Sequence, residues 1–459
     1  MSQLNRREMI FSSAAAFSQG GRKRPPNVLF LMSDEHSPHA AGWMGNRNIR
    51  TPALDSLAKS GVAFDAAYCQ NPICVPSRAS FLTGCMPSNV GVYSNGGGLR
   101  ADAPTLAGVF KEAGYKTAWF GKTHWGGDSR FEIQPGGNDG AKKEDGRRSR
   151  LPEDAKVTGR PISEEGDTLA QQQTIQFLKE HRDKPFFAGT SFIKPHFPFL
   201  VQEQYYQLYR ELCEIPNVTP EMLADLPAYS KAERATYGFA KLNAEQIRKA
   251  RAIYFGMVTY VDELFGGILK TVDELGLREN TVILYTADHG ELAGEHGLWY
   301  KNSFYEASVR IPHIWSFPAR LPKGKTISAP VMNIDIFPTL CELCGLTPPA
   351  GLEGHSLMPL VTGKENGEQR VAISENFRGG AAARMLRTNR WKYCYTHEDK
   401  EHLFDMRSDQ GELHNLVAKP EHRELVASLR KRALDGWRYQ EFFNRTKKKQ
   451  GAGKGKGEA

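Results

Sequence analysis

Four short apolar runs in the first two thirds of the chain each end abruptly in charged or polar residues. They are "NVLFLMSDEH" at 27–36, "KTAWFGKTHW" at 116–125, "PFFAGTSFIKPHFP" at 185–198 and "TVILYTADHGE" at 281–291. Continuous apolar runs of this kind are typical of strands that are buried on both faces of a parallel sheet. Helical patterns separate them, so the chain predicts an α/β domain with a large, mostly parallel central sheet flanked by helices.

One of these helical patterns is "TPALDSLAKSG" at 51–61, where Thr51 and Pro52 favour a helix start and Gly61 a helix end. A charged, glycine-rich segment from about 128 to 165 reads as a surface excursion near the strand ends. A helical stretch from about 202 to 277 is expected to pack on the sheet.

The pattern changes from about residue 366 onward. The stretch "ARMLRTNRWKYCYTHEDKEHLFDM" at 383–406 alternates with period two, and "EHRELVASLRKRALDGWRYQEFF" at 421–443 is amphipathic with helical spacing. We therefore expect a small C-terminal antiparallel sheet with one helix. This gives a catalytic domain at 25–365 and a C-terminal α+β subdomain at 366–446.

The formal charge of +8 lies almost entirely at the two ends of the chain. Residues 1–24 and residues 447–459 each carry five basic side chains against one acidic, so the body between them is formally neutral. The basic balance is therefore no evidence for a nucleic-acid partner, and none is expected. The tail at 447–459 is rich in glycine and lysine, a composition typical of disorder.

The first 24 residues include "NRREMIFSSAAAFSQG" at 5–20, which resembles a twin-arginine export signal. The alternative is a disordered basic terminus. An export signal would place the protein in the periplasm or outside the cell. We found no uninterrupted apolar run of membrane-spanning length, about 18 residues or more, and therefore expect no membrane span.

Charged residues follow the predicted strands at the points where the strands end. The carboxyl ends of parallel strands share one edge of a sheet, where ligands bind in α/β proteins. Two of these strand ends carry oxygen and nitrogen donors, namely Asp34 with Glu35 and Asp288 with His289. Such donors predict a divalent cation site. Cationic side chains near the same edge predict an anionic substrate, a sulfate or phosphate ester; these are Arg78, Lys122, His124, Lys194, His196 and Lys301.

The stretch "NPICVPSRASFLTG" at 71–84 contains Cys-x-Pro-Ser-Arg followed by Thr-Gly. This resembles the signature of the type I sulfatases, in which a formylglycine-generating enzyme converts the cysteine into formylglycine. Other blocks are similar to the same family, including "PNVLFLMSDEH", "GYKTAWFGKTHWG", "FIKPHFPF" and "TADHGELAGEHGLWYKNSFYEASVRIP". The resemblance extends from residue 26 to about 420, and it implies an alkaline-phosphatase-like sandwich that hydrolyses a sulfate ester.

The resemblance also implies roles for individual residues. Asp34, Glu35, Asp288, His289 and the modified Cys74 become ligands of Ca²⁺, with Mg²⁺ as the alternative. Arg78 would hold the nucleophile, and the remaining cations would bind sulfate and transfer protons; these are Lys122, His124, His196 and Lys301. One hydroxyl of the hydrated aldehyde would attack sulfur and displace the alcohol, which a Lys or His would protonate; deprotonation of the other hydroxyl would then expel sulfate and restore the aldehyde.

Two departures from the family pattern affect these expectations. Most members have Asp-Asp where this chain has Asp34-Glu35, so Glu35 is the less secure ligand. Asp288 is followed by His289 rather than asparagine, as in iduronate sulfatases, choline sulfatases and phosphonate monoester hydrolases.

The sequence therefore leaves three classes of substrate open. A sulfated carbohydrate is favoured by the predicted export. Choline sulfate would need an aromatic cage, for which the candidates are Trp125, Phe197, Phe199, Trp299 and Tyr300. A phosphonate monoester or phosphodiester could use the same metal and nucleophile. A non-catalytic sulfoglycan-binding module would not need the intact modification signature.

Overall fold

A computed structural model describes residues 24–135 and 151–444 of the chain. The predictions for residues 1–23, for the middle of the predicted surface excursion at 136–150, and for the tail from 445 onward lie outside the described residues. The strands, numbered in chain order, are β1 (Asn27–Asp34), β2 (Val62–Phe64), β3 (Ala67–Tyr68), β4 (Lys116–Gly121), β5 (Lys156–Thr158), β6 (Phe186–Pro195), β7 (Leu200–Gln202), β8 (Thr281–Ala287), β9 (Arg310–Ile311), β10 (His313–Ser316), β11 (Lys325–Ile327), β12 (Val331–Met332), β13 (Ala372–Asn376), β14 (Ala383–Arg387), β15 (Trp391–Thr396) and β16 (His402–Asp405). The helices are α1 (Pro52–Lys59), α2 (Cys74–Thr83), α3 (Leu106–Glu112), α4 (Gly166–His181), α5 (Glu203–Tyr206), α6 (Pro220–Asp225), α7 (Ala228–Thr236), α8 (Ala244–Glu274), α9 (Glu306–Val309), α10 (Ile336–Cys344), α11 (Met358–Val361) and α12 (Arg423–Leu434).

The central sheet has seven strands in the order β11-β2-β10-β8-β1-β6-β4. The four apolar runs of the sequence form the adjacent strands β8, β1, β6 and β4, and all of them are parallel. Val28 lies beside Val282 of β8 on one side and Phe187 of β6 on the other. Strand β10 is antiparallel to both of its neighbours. The predicted large, mostly parallel sheet is therefore confirmed.

The central sheet separates two hydrophobic cores. Leu29 and Leu31 of β1 pack into the core that contains residues of α4 and α8. Val28 and Phe30 of the same strand pack into the core that contains residues of α2, α3 and α10. Since successive side chains of a strand point to opposite faces, this alternation places helices on both sides of the sheet. The predicted sandwich is confirmed.

Helix α1 forms where the sequence predicts it, but its N-terminus is capped by a distant residue. Thr51 precedes the helix and makes no capping hydrogen bond with its side chain. The backbone N–H groups of Ala53 and Leu54 instead donate to the carboxylate of Asp262 in α8, at 3.0 and 2.9 Å. The cap thus depends on the tertiary fold, which joins α1 to α8.

The C-terminal subdomain is a four-stranded antiparallel sheet in the order β13-β14-β15-β16, with α12 packed on it. The predicted small sheet with one helix is confirmed. It is tied to the rest of the fold near the end of β13, where the Asn376 side-chain amide donates to the Asn302 carbonyl at 2.6 Å.

Helix α8 has 31 residues and is long and apolar enough to cross a membrane by length and composition alone. However, 83% of its most apolar window is buried inside the fold, against β6, α1 and α4. A buried helix at the centre of a globular core passes the same test, so α8 is weak evidence for a membrane span.

Candidate active site

The strand ends of the central sheet bring the predicted polar residues to one edge. Asp34 is the last residue of β1, and Asp288 directly follows β8. Lys122 directly follows β4 and His196 directly follows β6. These four strands are adjacent and parallel, so their carboxyl ends meet. The structure therefore places both acidic strand ends and two of the predicted cations in one region.

Cys74 is the first residue of α2 and its side chain is buried among charged groups. Its Sγ atom lies 3.2 Å from His289 Nε2 and 3.4 Å from Lys301 Nζ. Lys122 Nζ lies at 3.9 Å and Asp34 Oδ1 at 3.8 Å. The signature cysteine is therefore at the centre of the polar cluster.

These neighbours determine the ionisation of Cys74. Burial by itself raises the pKa of the thiol, but Lys122, Lys301 and His289 act more strongly in the opposite direction and hold that pKa well below its usual range. The start of a helix also favours negative charge. The position therefore stabilises an anion at Sγ or at any atom that takes its place.

Arg78 lies one helical turn beyond Cys74 and fixes the helix to the strand ends. Its side chain is fully buried, with Nε 2.7 Å from Asp288 Oδ2 and Nη2 3.3 Å from Asp34 Oδ2. Its Nη1 donates to Ser191 Oγ at 3.0 Å and to the Lys122 carbonyl at 3.2 Å. Because it joins β1, β4, β6 and β8 to α2, Arg78 fixes the position of the Cys74 side chain.

Four side chains offer ligand atoms that all lie within 4.8 Å of one another: Asp34, Cys74, Asp288 and His289. His289 Nδ1 lies 3.0 Å from the Gly290 carbonyl, which can only accept, so Nδ1 carries the proton of the neutral ring. Nε2, which faces the cluster, therefore offers its lone pair, the arrangement that metal-binding histidines adopt. Two carboxylates and one imidazole beside the Cys74 side chain fit a divalent cation.

Glu35 lies beside this group but is directed elsewhere. Its Oε2 is 2.9 Å from Lys301 Nζ and 3.4 Å from His196 Nε2. Its carboxylate can also group with Asp34 and His196, but it does not belong to the four-residue set. Burial raises the pKa of Glu35 well above its usual range, although Lys301 opposes this. The extra methylene relative to Asp thus carries the carboxyl group to the cationic side of the site.

Of the predicted cationic residues, His124 lies at the site and Lys194 does not. His124 lies close enough to Cys74 to help lower the pKa of the thiol, and its backbone has a positive φ of 54°. Lys194 does not face the site: its Nζ lies 2.8 Å from Glu165 Oε2 and 5.6 Å from the centre of the Tyr260 ring. The prediction that Lys194 joins the cationic cluster is wrong, because its ammonium group is paired with the carboxylate of Glu165, which directly precedes α4.

Three contributors to the site were missed in the sequence. Ser191 in β6 binds Arg78, as described above, and Asn95 Oδ1 accepts a hydrogen bond from the backbone N–H of Val75 at 3.1 Å. Glu291 is buried, and its Oε1 accepts from the backbone N–H of Tyr300 at 2.6 Å, which shapes the loop before Lys301. Asn95 lies in "YSNGGG" and Glu291 in "DHGE", where neither has a recognisable spacing, so only the tertiary contacts identify them.

The five aromatic residues considered for a choline cage are mostly committed to the core. Trp125, Phe199, Trp299 and Tyr300 are all at most 3% exposed. Phe197 is the exception: it is half-buried, and Lys301 Nζ lies 5.3 Å from the centre of its ring. These residues therefore do not form an open aromatic cage.

Comparison with known proteins agrees with this arrangement. A family profile described as sulfatase matches residues 26–346, and a profile described as N-sulphoglucosamine sulphohydrolase, C-terminal, matches residues 294–438. A choline-sulfatase of Rhizobium meliloti is 31% identical over 86% of this chain and 83% of its own. An ulvan-active sulfatase of Formosa agariphila is 31% identical over 89% of this chain and 81% of its own.

Solved structures of low sequence identity share the fold. A phosphonate monoester hydrolase from Silicibacter pomeroyi superposes with a TM-score of 0.79 at 24% identity, covering 89% of this chain and 94% of its own. An enzyme solved in complex with its substrate D-glucosamine-2-N,6-O-disulfate superposes with a TM-score of 0.73 at 22% identity, covering 90% and 99%. The profile matches and the relatives at 31% identity establish that the chain belongs to the sulfatase family of the alkaline-phosphatase-like superfamily and is a sulfuric ester hydrolase.

Proposed function

We propose that this sulfatase hydrolyses a sulfate ester of a sulfated carbohydrate, using formylglycine made from Cys74 and a bound divalent cation, Ca²⁺ or Mg²⁺. The observation that carries the proposal is the position of Cys74, where two lysines and a histidine converge on one sulfur atom at the start of a helix. A formylglycine-generating enzyme acting on the intact signature would be the required partner.

The residues that hold the nucleophile are separate from those that can move protons. Arg78 donates hydrogen bonds to carboxylates, carbonyls and a hydroxyl, so its role is to position residue 74 rather than to transfer a proton. A divalent cation held by Asp34, Asp288 and His289 would neutralise negative charge on the substrate and acidify a hydroxyl bound to it. Lys122 and Lys301, both nearly buried, would hold the sulfate oxygens by charge-assisted hydrogen bonds.

His196 and Lys301 suit opposite directions of proton transfer. Burial lowers the pKa of His196 to about 4, so the ring is neutral near pH 7 and can accept a proton. Lys301 Nζ lies 2.9 Å from Glu35 Oε2 and 3.4 Å from the Cys74 Sγ atom that formylglycine would replace. In the modified enzyme its ammonium group is therefore placed to donate a proton to the leaving alcohol.

The choice of a carbohydrate over choline sulfate rests on the burial of the aromatic residues near the site. A quaternary ammonium ion prefers open aromatic faces, and four of the five candidate residues are buried. The ulvan-active relative is as similar to this chain as the choline-sulfatase relative, so identity favours neither. An enzyme acting on extracellular glycans would be periplasmic or secreted, which is consistent with the basic, alanine-containing N-terminus.

Two measurements test this proposal. Mass spectrometry of the tryptic peptide containing residue 74 is expected to show a loss of about 18 Da relative to the cysteine peptide, as the thiol becomes an aldehyde. Steady-state kinetics would then compare sulfated sugars, choline sulfate and a phosphodiester. An unmodified thiol in active protein contradicts the nucleophile, and turnover of choline sulfate without any sulfated sugar contradicts the substrate.

A further inference from the structure

The rim of the site on the Lys301 side is built by two parts of the chain that are far apart in sequence. Lys301 Nζ lies 3.4 Å from Cys74 Sγ, and Asn302 follows it with a positive φ of 72°. The Asn302 side-chain amide donates to Glu233 Oε1 in α7 at 2.8 Å. Glu233 in turn lies 3.3 Å from Nη2 of Arg378, which is two residues beyond the end of β13. A continuous set of contacts thus links the nucleophile to a residue of the C-terminal subdomain.

Aromatic rings connect the same two points by a second route. Phe197 packs beside Lys301 and has its ring centre 4.5 Å from that of Tyr300. The Tyr300 ring packs on Tyr237 at 5.6 Å, and Arg378 Nη2 donates to the Tyr237 hydroxyl at 3.1 Å. Arg378 is therefore placed by two independent contacts, one charged and one aromatic.

Arg378 is the exposed end of these contacts. The Lys301 side chain is 6% exposed, Asn302 is buried and the Glu233 side chain is 11% exposed, whereas Arg378 is 41% exposed. Arg378 is therefore the member of this set that solvent, and hence a ligand, reaches most easily.

Arg378 keeps most of its hydrogen-bonding capacity for a ligand. Among the described residues, its contacts to Tyr237 and Glu233 both use Nη2, and its Nε and Nη1 have no partner. A guanidinium group presents five donors in a planar fork that fits a carboxylate or sulfate by two parallel hydrogen bonds. A half-exposed guanidinium held on one side by a buried carboxylate is a preorganised anion site.

We propose that Arg378, positioned by Glu233, binds a second anionic group of the substrate, a carboxylate or a further sulfate on the sugar beside the scissile ester. This inference rests on the proposed carbohydrate substrate and deepens it, because it assigns the enzyme to polyanionic rather than neutral glycans. The C-terminal subdomain then contributes directly to specificity.

The test uses full-length enzyme that carries the modified residue 74 and two matched pairs of probes. The first pair is a sulfated disaccharide containing a uronic acid and its carboxyl-reduced form; the second is D-glucosamine-2-N,6-O-disulfate and D-glucosamine 6-O-sulfate. The reporter 4-nitrophenyl sulfate, which carries no second anion, measures the chemical step alone.

Arg378→Ala is expected to lower kcat/KM for the doubly anionic probe of at least one pair by about 10- to 100-fold, the value of a hydrogen-bonded charge, mostly through KM. Its turnover of 4-nitrophenyl sulfate should stay within about 2-fold, and Arg378→Lys should recover part of the loss. Glu233→Gln should give a smaller change of the same kind. A loss confined to the first pair identifies a carboxylate, and one confined to the second pair identifies a sulfate.

Arg390→Ala is the matched control. Arg390 is also half-exposed, on the same subdomain, and its Nη2 is bonded to Asp405 at 2.8 Å. It follows β14 at the end of the sheet opposite Arg378, because Asn376 pairs with Ala383 and Ala372 with Arg387. We expect no change in any of the probes.

Four results would overturn the inference. An equal loss on 4-nitrophenyl sulfate would make Arg378 a structural residue, and no loss on either pair would remove its role. Hydrolysis of sulfated sugars without preference for the second anion would overturn this inference alone. Hydrolysis of choline sulfate but of no sulfated sugar by the unaltered enzyme would overturn the carbohydrate proposal together with it.

Discussion

Two buried clusters of charged residues in this protein have opposite arrangements. In the active site, Lys122, Lys301 and His289 surround the single sulfur of Cys74. At the junction between the C-terminal sheet and helix α9, two carboxylates surround one ammonium group: Lys392 Nζ lies 2.8 Å from Glu306 and 2.6 Å from Glu412.

The two clusters differ in whether their charged groups are all paired with partners inside the protein. The junction is filled, since Glu306 also accepts from the Tyr68 hydroxyl at 3.1 Å and lies 3.1 Å from Arg310. In the active site, the ammonium groups of Lys122 and Lys301 instead converge on one position that an anion can occupy. Buried charge alone therefore does not identify an active site, whereas cations that converge on one nucleophilic atom do.

The largest expected effect is at the centre of the cationic cluster. Cys74→Ala removes the nucleophile and should lower kcat/KM for 4-nitrophenyl sulfate by a factor on the order of 10⁴ or more. Because the small side chain removes no buried ionic partner on which the fold depends, the melting temperature should stay close to that of the unaltered protein. Cys85→Ala, at a buried cysteine beyond the other end of α2, is the control and should keep full activity. Substantial turnover by the Cys74 variant would contradict the assignment.

The junction should respond in the opposite way. Lys392→Met keeps the volume but leaves Glu306 and Glu412 without their shared cation, which should lower the free energy of unfolding by about 3–5 kcal/mol. The value of kcat at a temperature where the variant is folded should be unchanged. Urea unfolding gives the first quantity and steady-state kinetics the second; a loss of kcat in the folded variant would mean that the two clusters are coupled.

Glu35 lies between the four possible metal ligands and the cationic side chains. A pair of variants tests whether it acts as a metal ligand or as a partner of Lys301 and His196. Glu35→Asp withdraws the carboxylate from Lys301 and His196 and should lower kcat by about 10- to 100-fold, whereas Glu35→Gln keeps the reach and should lose less than about 10-fold. Bound metal per chain, measured by elemental analysis, should be the same in both. If Glu35 were a ligand, the order would reverse, because Asp keeps a charged oxygen and Gln does not.

The smallest effect concerns the pH dependence of the junction. Burial raises the pKa of Glu412 to about 6, so its contribution to stability is full below about 4.5 and is lost as the pH rises through about 6. Burial also acts on Glu306, but Lys392 and Arg310 outweigh it and lower its pKa to about 2, so its contribution is full above about 4.5. In the unaltered protein, the titration of Glu412 should lower the unfolding free energy by about 1–2 kcal/mol between pH 4.5 and 7. Urea titration of Glu412→Gln should show no such decrease. An unchanged pH dependence would place the titration elsewhere.

The sequence by itself determined the layers of the fold and most of the site's composition. The four apolar runs became four adjacent parallel strands, because a segment buried on both faces has no polar periodicity and must lie inside a sheet. Residues at the ends of such strands meet at one edge whatever the loops do, so Asp34, Lys122, His196 and Asp288 could be grouped before any coordinates were known.

Only the tertiary structure decided which way individual side chains point. Lys194 and His196 are two residues apart, yet one faces Glu165 and the other the site. Asp262 caps a helix about 200 residues away, and Arg378, in the loop after β13, contacts Glu233 of α7. Such contacts depend on distances between segments far apart in the chain, which no local pattern records; for the same reason, sequence spacing did not reveal that Glu35 turns toward Lys301.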